Sequence, residues 1–110
     1  MTEREAIKEA LKAIPNVKLV DTKWPEQFKT TPCIIFNLAG ETGEDFRDDK
    51  EYLTELEWYV RVFAAKEADL WAIADAAKEA MEGLGYVRTF RWEEPGTGIR
   101  QVAIRMKKYI

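Results

Sequence analysis

The stretch Tyr52-Leu53-Thr54-Glu55-Leu56-Glu57-Trp58-Tyr59-Val60-Arg61-Val62-Phe63 decides how this chain folds. Tyr52, Leu56, Trp58, Val60 and Val62 fall on one side of an extended backbone. Glu55, Glu57 and Arg61 fall on the other, with Leu53, Tyr59 and Phe63 among them. A period of two sustained this long is the pattern of a β-strand. Strands average about 5–6 residues, so this one is expected to outreach the core of a small domain. Just upstream, Pro32-Cys33-Ile34-Ile35-Phe36 is a continuous apolar run, which suits a central strand buried on both faces. The two segments predict a long β-hairpin. Its connection is expected to be an acidic loop over 41–50, opened by Gly40 and Gly43, with Phe46 between Asp45 and Arg47 as a candidate anchor for a partner.

Working outward, Thr2 and Glu5 form a capping box that starts a helix. Ile7, Ala10, Leu11 and Ile14 share its apolar face, and Pro15 ends it. Asn16 turns the chain into a short strand over Val17–Val20, and an irregular segment around Trp24-Pro25 leads to the hairpin. Trp24 is expected to cover the core edge. After the hairpin, Leu70, Ile73, Ala74, Ala77, Met81 and Leu84 recur at helical spacing and predict a second helix over Lys66–Glu82. Gly83 and Gly85 permit the left-handed backbone that ends it. Two strands close the chain on either side of the turn signal Glu94-Pro95-Gly96-Thr97-Gly98. The first, Tyr86–Trp92, is expected to set Tyr86, Arg88, Phe90 and Trp92 against Val87, Thr89 and Arg91. The second turns Val102, Ile104, Met106 and Ile110 inward. The order α-β-β-β-α-β-β implies one α+β domain over residues 1–110, with an antiparallel or mixed sheet and both helices on one sheet face.

Hydrophobic residues make up 46% of the chain and charged residues 34%, the balance of a globular domain. No apolar run approaches the ~20 residues needed to span a bilayer. The charged start, Met1-Thr2-Glu3-Arg4-Glu5, has no signal core, so a cytoplasmic chain is expected. Net charge is −3, which argues against a general nucleic-acid binder. The charges are unevenly placed. Between Glu41 and Glu57 lie eight acids against Arg47 and Lys50, whereas Tyr86 to Ile110 holds six bases against Glu93 and Glu94. Opposed patches suit head-to-tail self-association, and solvated strand faces explain them equally well.

The sequence contains no histidine and one cysteine, which removes imidazole catalysis, most transition-metal sites and any internal disulfide. Cys33 reads as a small buried hydrophobe. Gly96-Thr97-Gly98 has no following helix and reads as a turn rather than a phosphate loop. The acidic segment lacks calcium-loop spacing. Glu55 and Glu57 share a strand face about 7 Å apart, and solvated strand acids explain them better than a carboxylate pair. No catalytic, cofactor-binding or metal-binding residue is therefore expected. In Arg88, Phe90, Arg91 and Trp92, bases interleave with aromatics, as in single-strand binders. That reading holds if Phe90 and Trp92 stand exposed beside Arg88, and fails if they point at the helices.

Over nearly its whole length the chain resembles the small tail-completion proteins of long-tailed bacteriophages, also called tail terminator or tail-to-head joining proteins. The resemblance lies in Ile14-Pro15-Asn16-Val17, in Thr31-Pro32-Cys33-Ile34-Ile35-Phe36 and in the long polar hairpin. It continues in Tyr59-Val60-Arg61-Val62-Phe63, in the alanine-rich helix to Leu84-Gly85 and in Ile104-Arg105-Met106-Lys107-Lys108-Tyr109. One departure is Cys33, where the pattern has an aromatic. The resemblance implies a non-enzymatic virion protein, encoded by a phage or prophage and assembled in the host cytoplasm. Its copies would form a ring, typically a hexamer, at the end of the tail tube. The ring would stop tube growth and meet the head connector, with DNA passing through without specific binding. Candidate contacts are Asp45, Phe46, Asp48 and Asp49 of one copy against Arg88, Arg91, Arg100 and Arg105 of its neighbour. The alternative is a small cytoplasmic domain that binds protein or nucleic acid through its sheet face.

Overall fold

The computed structural model describes residues 2–23, 31–47, 50–94 and 99–109, and over 40–47 and 50–54 it describes the backbone alone. Trp24, Asp48, Asp49 and Ile110 lie outside the described residues. The elements are α1 (Glu3–Lys12), β1 (Leu19–Asp21), β2 (Cys33–Arg47), β3 (Lys50–Ala64), α2 (Glu67–Gly83), β4 (Val87–Glu94) and β5 (Arg100–Tyr109). The strands form one mixed sheet in the order β1-β2-β3-β5-β4. β1 runs parallel to β2, and the other neighbours are antiparallel. This is the α+β order the sequence predicts.

Both helices pack on one sheet face. Ile7, Leu11 and Ile14 from the α1 region and Leu70, Ile73, Ala74, Ala77 and Met81 from α2 meet Ile34, Phe36, Leu56, Trp58, Val60, Val62, Val102, Ile104 and Met106. Burying each large aliphatic or aromatic side chain stabilises the fold by about 1.5–3 kcal/mol. A second, smaller cluster occupies the opposite face, where Cys33, Ile35 and Phe63 are buried with Leu19 and Ile99 against them. The apolar run in β2 is thus buried on both sides, as a central strand requires.

Local chemistry sets the ends of the elements. The Thr2 hydroxyl accepts from the Glu5 backbone N–H at 3.1 Å and caps α1. Asn16 turns the chain at a φ of 70°, a left-handed value that asparagine tolerates better than most residues. Gly83 forms the last residue of α2, so only Gly85, at a φ of 94°, serves as the left-handed exit.

Two expectations are corrected. Over 41–47 the chain is strand rather than acidic loop. β2 continues through Arg47, and β3 begins at Lys50, with pairs from Gly40–Glu57 to Arg47–Lys50. A two-stranded ribbon beyond the core needs no apolar face, so it carries no alternation signal to read. β5 pairs with β3 only from Glu55 to Ala64. Beyond Glu55 the hairpin is therefore a two-stranded arm, and the molecule is 51 Å long against 26 and 23 Å across.

The second correction concerns β4. An irregularity between Arg88 and Phe90 shifts its register against β5. An extra residue reverses which side chains face the helices. Tyr86 therefore enters the helix-side core, while Phe90 and Trp92 lie opposite Arg105 and Ala103 on the other face.

Candidate functional site

The open face of the sheet gathers an aromatic and cationic patch from three strands. Tyr59 on β3 lies opposite Arg105 on β5, which lies opposite Phe90 on β4. One row along, Arg61, Ala103 and Trp92 are aligned in the same way. Trp92 meets Tyr59 edge to face at 6.1 Å and Phe90 in a tilted contact at 5.3 Å. The guanidinium groups of Arg61 and Arg105 lie 5.0 and 5.4 Å from the Tyr59 ring centroid. Phe90 is 56% exposed, while Ala103 beneath the patch is fully buried.

Polar contacts fix these groups. Arg105 donates to the Tyr59 hydroxyl at 3.1 Å and pairs with Glu57 at 3.2 Å. Trp92 donates from Nε1 to Glu94 Oε1 at 2.8 Å. Lys107 pairs with Glu55 at 3.5 Å. Its ammonium pKa is raised, mainly by its contact with Tyr109 and secondarily by Glu55. Glu55 and Glu57 are therefore ion-pair partners of β5 within the same chain. What remains unpaired with β5 on the hairpin is the distal ribbon, whose sequence carries Glu41, Glu44, Asp45 and Glu51.

The arginines singled out in the sequence divide between the two faces. Arg105 belongs to the patch. Arg91 faces α2, where it pairs with Asp75 and lies 5.1 Å from the Trp71 ring. Arg88 is exposed opposite Met106 on the helix side, and Arg100 lies 3.9 Å from Glu67 at the start of α2. The structure thus does not bring Arg88, Arg91, Arg100 and Arg105 together. Asp45 and Phe46 lie on the distal part of β2, where the backbone alone is described. Phe90 and Trp92 do stand away from the helices, but beside Arg105 and Arg61 rather than Arg88.

Sequence reading missed Tyr59 and Arg61 as site residues. Their signal was the every-second-residue spacing in Tyr59-Val60-Arg61, matched by Phe90-Arg91-Trp92, whose outward phase depends on the shift in β4.

Elsewhere, a cleft of about 430 Å³ between α1 and β1 is lined by Lys8, Lys12, Val17, Lys18, Leu19, Val20 and Asp21. Its charged groups come from exposed or half-buried positions on the molecular surface. The buried ionisable groups lie elsewhere and serve the core. Tyr86 accepts from Trp58 Nε1 at 3.1 Å and donates to Glu3 at 2.8 Å, and Glu3 also meets Lys108 at 3.2 Å. Burial, followed by the neighbouring Glu3 carboxylate, pushes the Tyr86 phenol far up. The Tyr86 hydrogen bond, helped by Lys108 and opposed by burial, holds the Glu3 carboxyl below its usual value. Among the described residues, no group of three or more His, Cys, Asp or Glu is placed to hold a metal ion, and no helix is long and apolar enough to cross a membrane.

No protein-family model and no curated protein matches this chain.

Proposed function

We propose that this chain is a tail-completion subunit of a long-tailed phage or prophage, which works by assembly rather than by chemistry. Copies close into a ring at the end of the tail tube, end its growth and meet the head connector. The observation that carries this reading is the arm: β3 spans 15 residues, but its pairing with β5 stops at Glu55. A ribbon extended beyond its own core has a purpose when another subunit receives it. The resemblance in element order and in the hairpin and C-terminal strand patterns supports the same reading. An acidic ribbon also suits a channel for DNA, because a basic lining would hold phosphates in place.

The test is incubation with the tail tube protein of the same genome, followed by sedimentation of the tubes. Tubes that carry the protein and stop elongating support the proposal. Tubes that elongate normally and leave the protein in the supernatant refute it.

A second reading is favoured by one observation, the exposure of Phe90 beside Trp92. Such a face stacks on bases or receives another protein. Its test is titration with single-stranded oligonucleotides at two salt concentrations. A salt-sensitive affinity supports nucleic-acid binding.

A further inference from the structure

We propose that β4 is a pairing edge whose occupant is the β4 strand of a second copy of this chain, laid antiparallel about a two-fold axis at Arg91. This goes beyond the tail-completion reading and does not rest on it.

β4 is the last strand of the sheet, and among the described residues no main chain pairs with its outer side. Its eight residues present an edge about 27 Å long at the rise of a strand. Such an edge is a template for another strand. Natural sheets guard a long free edge with lysine, proline or a bulge. β4 holds no lysine or proline, and its irregularity leaves the five positions from Phe90 to Glu94 in register. It also carries Val87 and Phe90, two of the four large hydrophobic residues exposed among the described ones. A strand laid along this edge takes part of that apolar surface out of water.

Charge selects the occupant. The strand is basic at Arg88 and acidic at Glu93 and Glu94. An antiparallel copy reverses that order, so the strand is complementary to itself. A phosphate backbone would instead be repelled by the two glutamates.

Register supports the same pairing. Against β5 the strand fills seven ladder positions from Val87 to Glu94, with Thr89 left over at the irregularity. Arg91 is the middle position. Full overlap of two copies sets Arg88 opposite Glu93 and Phe90 opposite Trp92, each twice. The faces agree. Phe90 and Trp92 lie on the open side of the sheet, while Arg88 and Glu93 lie on the helix side with Met106 and Val102. Arg88 and Glu93 are both exposed, and neither has a side-chain partner among the described residues. Two arginines meet at the axis, but each Arg91 already carries the counter-charge of Asp75 in its own chain. The contact is isologous and closes at two copies. Two five-stranded sheets become one continuous sheet.

Charge reversal in the full chain tests this, read by sedimentation equilibrium over a concentration series. The parent is expected to pass from monomer to dimer as its concentration rises. Arg88→Glu and Glu93→Arg, each alone, set two like pairs across the axis. Each is expected to weaken the dimer about tenfold or more. The double variant restores opposite pairs and is expected to return to within about threefold of the parent. Within one chain these residues are four ladder steps apart, about 14 Å, so the rescue acts only between copies. A circular dichroism spectrum matching the parent shows that each variant is folded.

A parent that stays monomeric throughout overturns the proposal. So does a dimer that the single reversals leave intact, or one that the double variant fails to restore. Tube capping is read separately. A monomer that caps tubes refutes the pairing alone, and a dimer that never meets tubes refutes the tail-completion reading alone.

Discussion

Trp92 stands edge-on to Tyr59, with ring centroids 6.1 Å apart and planes at 89°, although their strands are not neighbours in the sheet. β5 separates them, and at this point it presents Ala103, opposite both Arg61 and Trp92. A small residue there leaves room for rings from both sides to meet above it. Trp92→Ala removes the contacts to Tyr59 and Phe90 and the bond to Glu94. It is expected to cost about 1–3 kcal/mol in chemical denaturation. Phe90→Ala, at a largely exposed position, is expected to stay within about 0.5 kcal/mol of the parent. Equal costs for the two would show that the rings do not differ in structural role.

Tyr86 links three elements, since its hydroxyl accepts from Trp58 on β3 and donates to Glu3 on α1. Tyr86→Phe leaves the buried Trp58 N–H without that acceptor. The expected loss is about 1–3 kcal/mol, read as a lower denaturation midpoint with an unchanged slope.

Glu3 gives the same network a pH dependence. Its folded-state pKa lies below the ordinary glutamate value of 4.5. The unfolded chain therefore binds the proton more readily, and stability rises with pH across that window. The contribution is present above about pH 4.5 and is lost as the pH falls through the lower folded-state value. Glu3→Gln is expected to be less stable than the parent at neutral pH, by about 1 kcal/mol. The gap should narrow below pH 4.5. A constant gap down to strong acid would remove Glu3 from this role.

Cys33 is buried, and burial pushes its thiol pKa up to about 11. Thiolate is the reactive form, so alkylation in the folded state should be negligible at neutral pH. Labelling is expected only as denaturant unfolds the chain, in step with loss of circular dichroism. Fast labelling of the native protein would contradict the burial of β2 on this face.

Gly85 sits at a φ of 94°, where a Cβ is strained whatever the space around it. A side chain there would also meet the aliphatic part of Lys108, whose atoms lie as near as 3.5 Å. Gly85→Ala is expected to destabilise by about 1 kcal/mol or more. Thermal unfolding measures it, and a neutral result would place the end of α2 in another conformation.

The core was legible because its signals are periodic. Leu56, Trp58, Val60 and Val62 set the phase of β3, and the Leu70 to Met81 stripe set the buried side of α2. In the distal ribbon, residues 52–54 were legible as strand but 41–47 were not. Its backbone pairs with itself outside any core, so nothing selects apolar residues at alternate positions. The patch was half legible. Phe90 and Trp92 were visible as an aromatic pair among arginines, but their side of the sheet depends on the shift after Arg88. A single extra residue leaves no mark in composition. Tyr59 was visible in the alternation, and its role depends on a strand that arrives from far along the chain.

The most direct measurement is the position of the protein on assembled tail tubes, seen by electron microscopy of a gold-labelled chain. Label confined to one end of each tube, as a ring, is the predicted result. Label spread along the walls, or absent from tubes that keep growing, would contradict the central claim that this chain completes a tail.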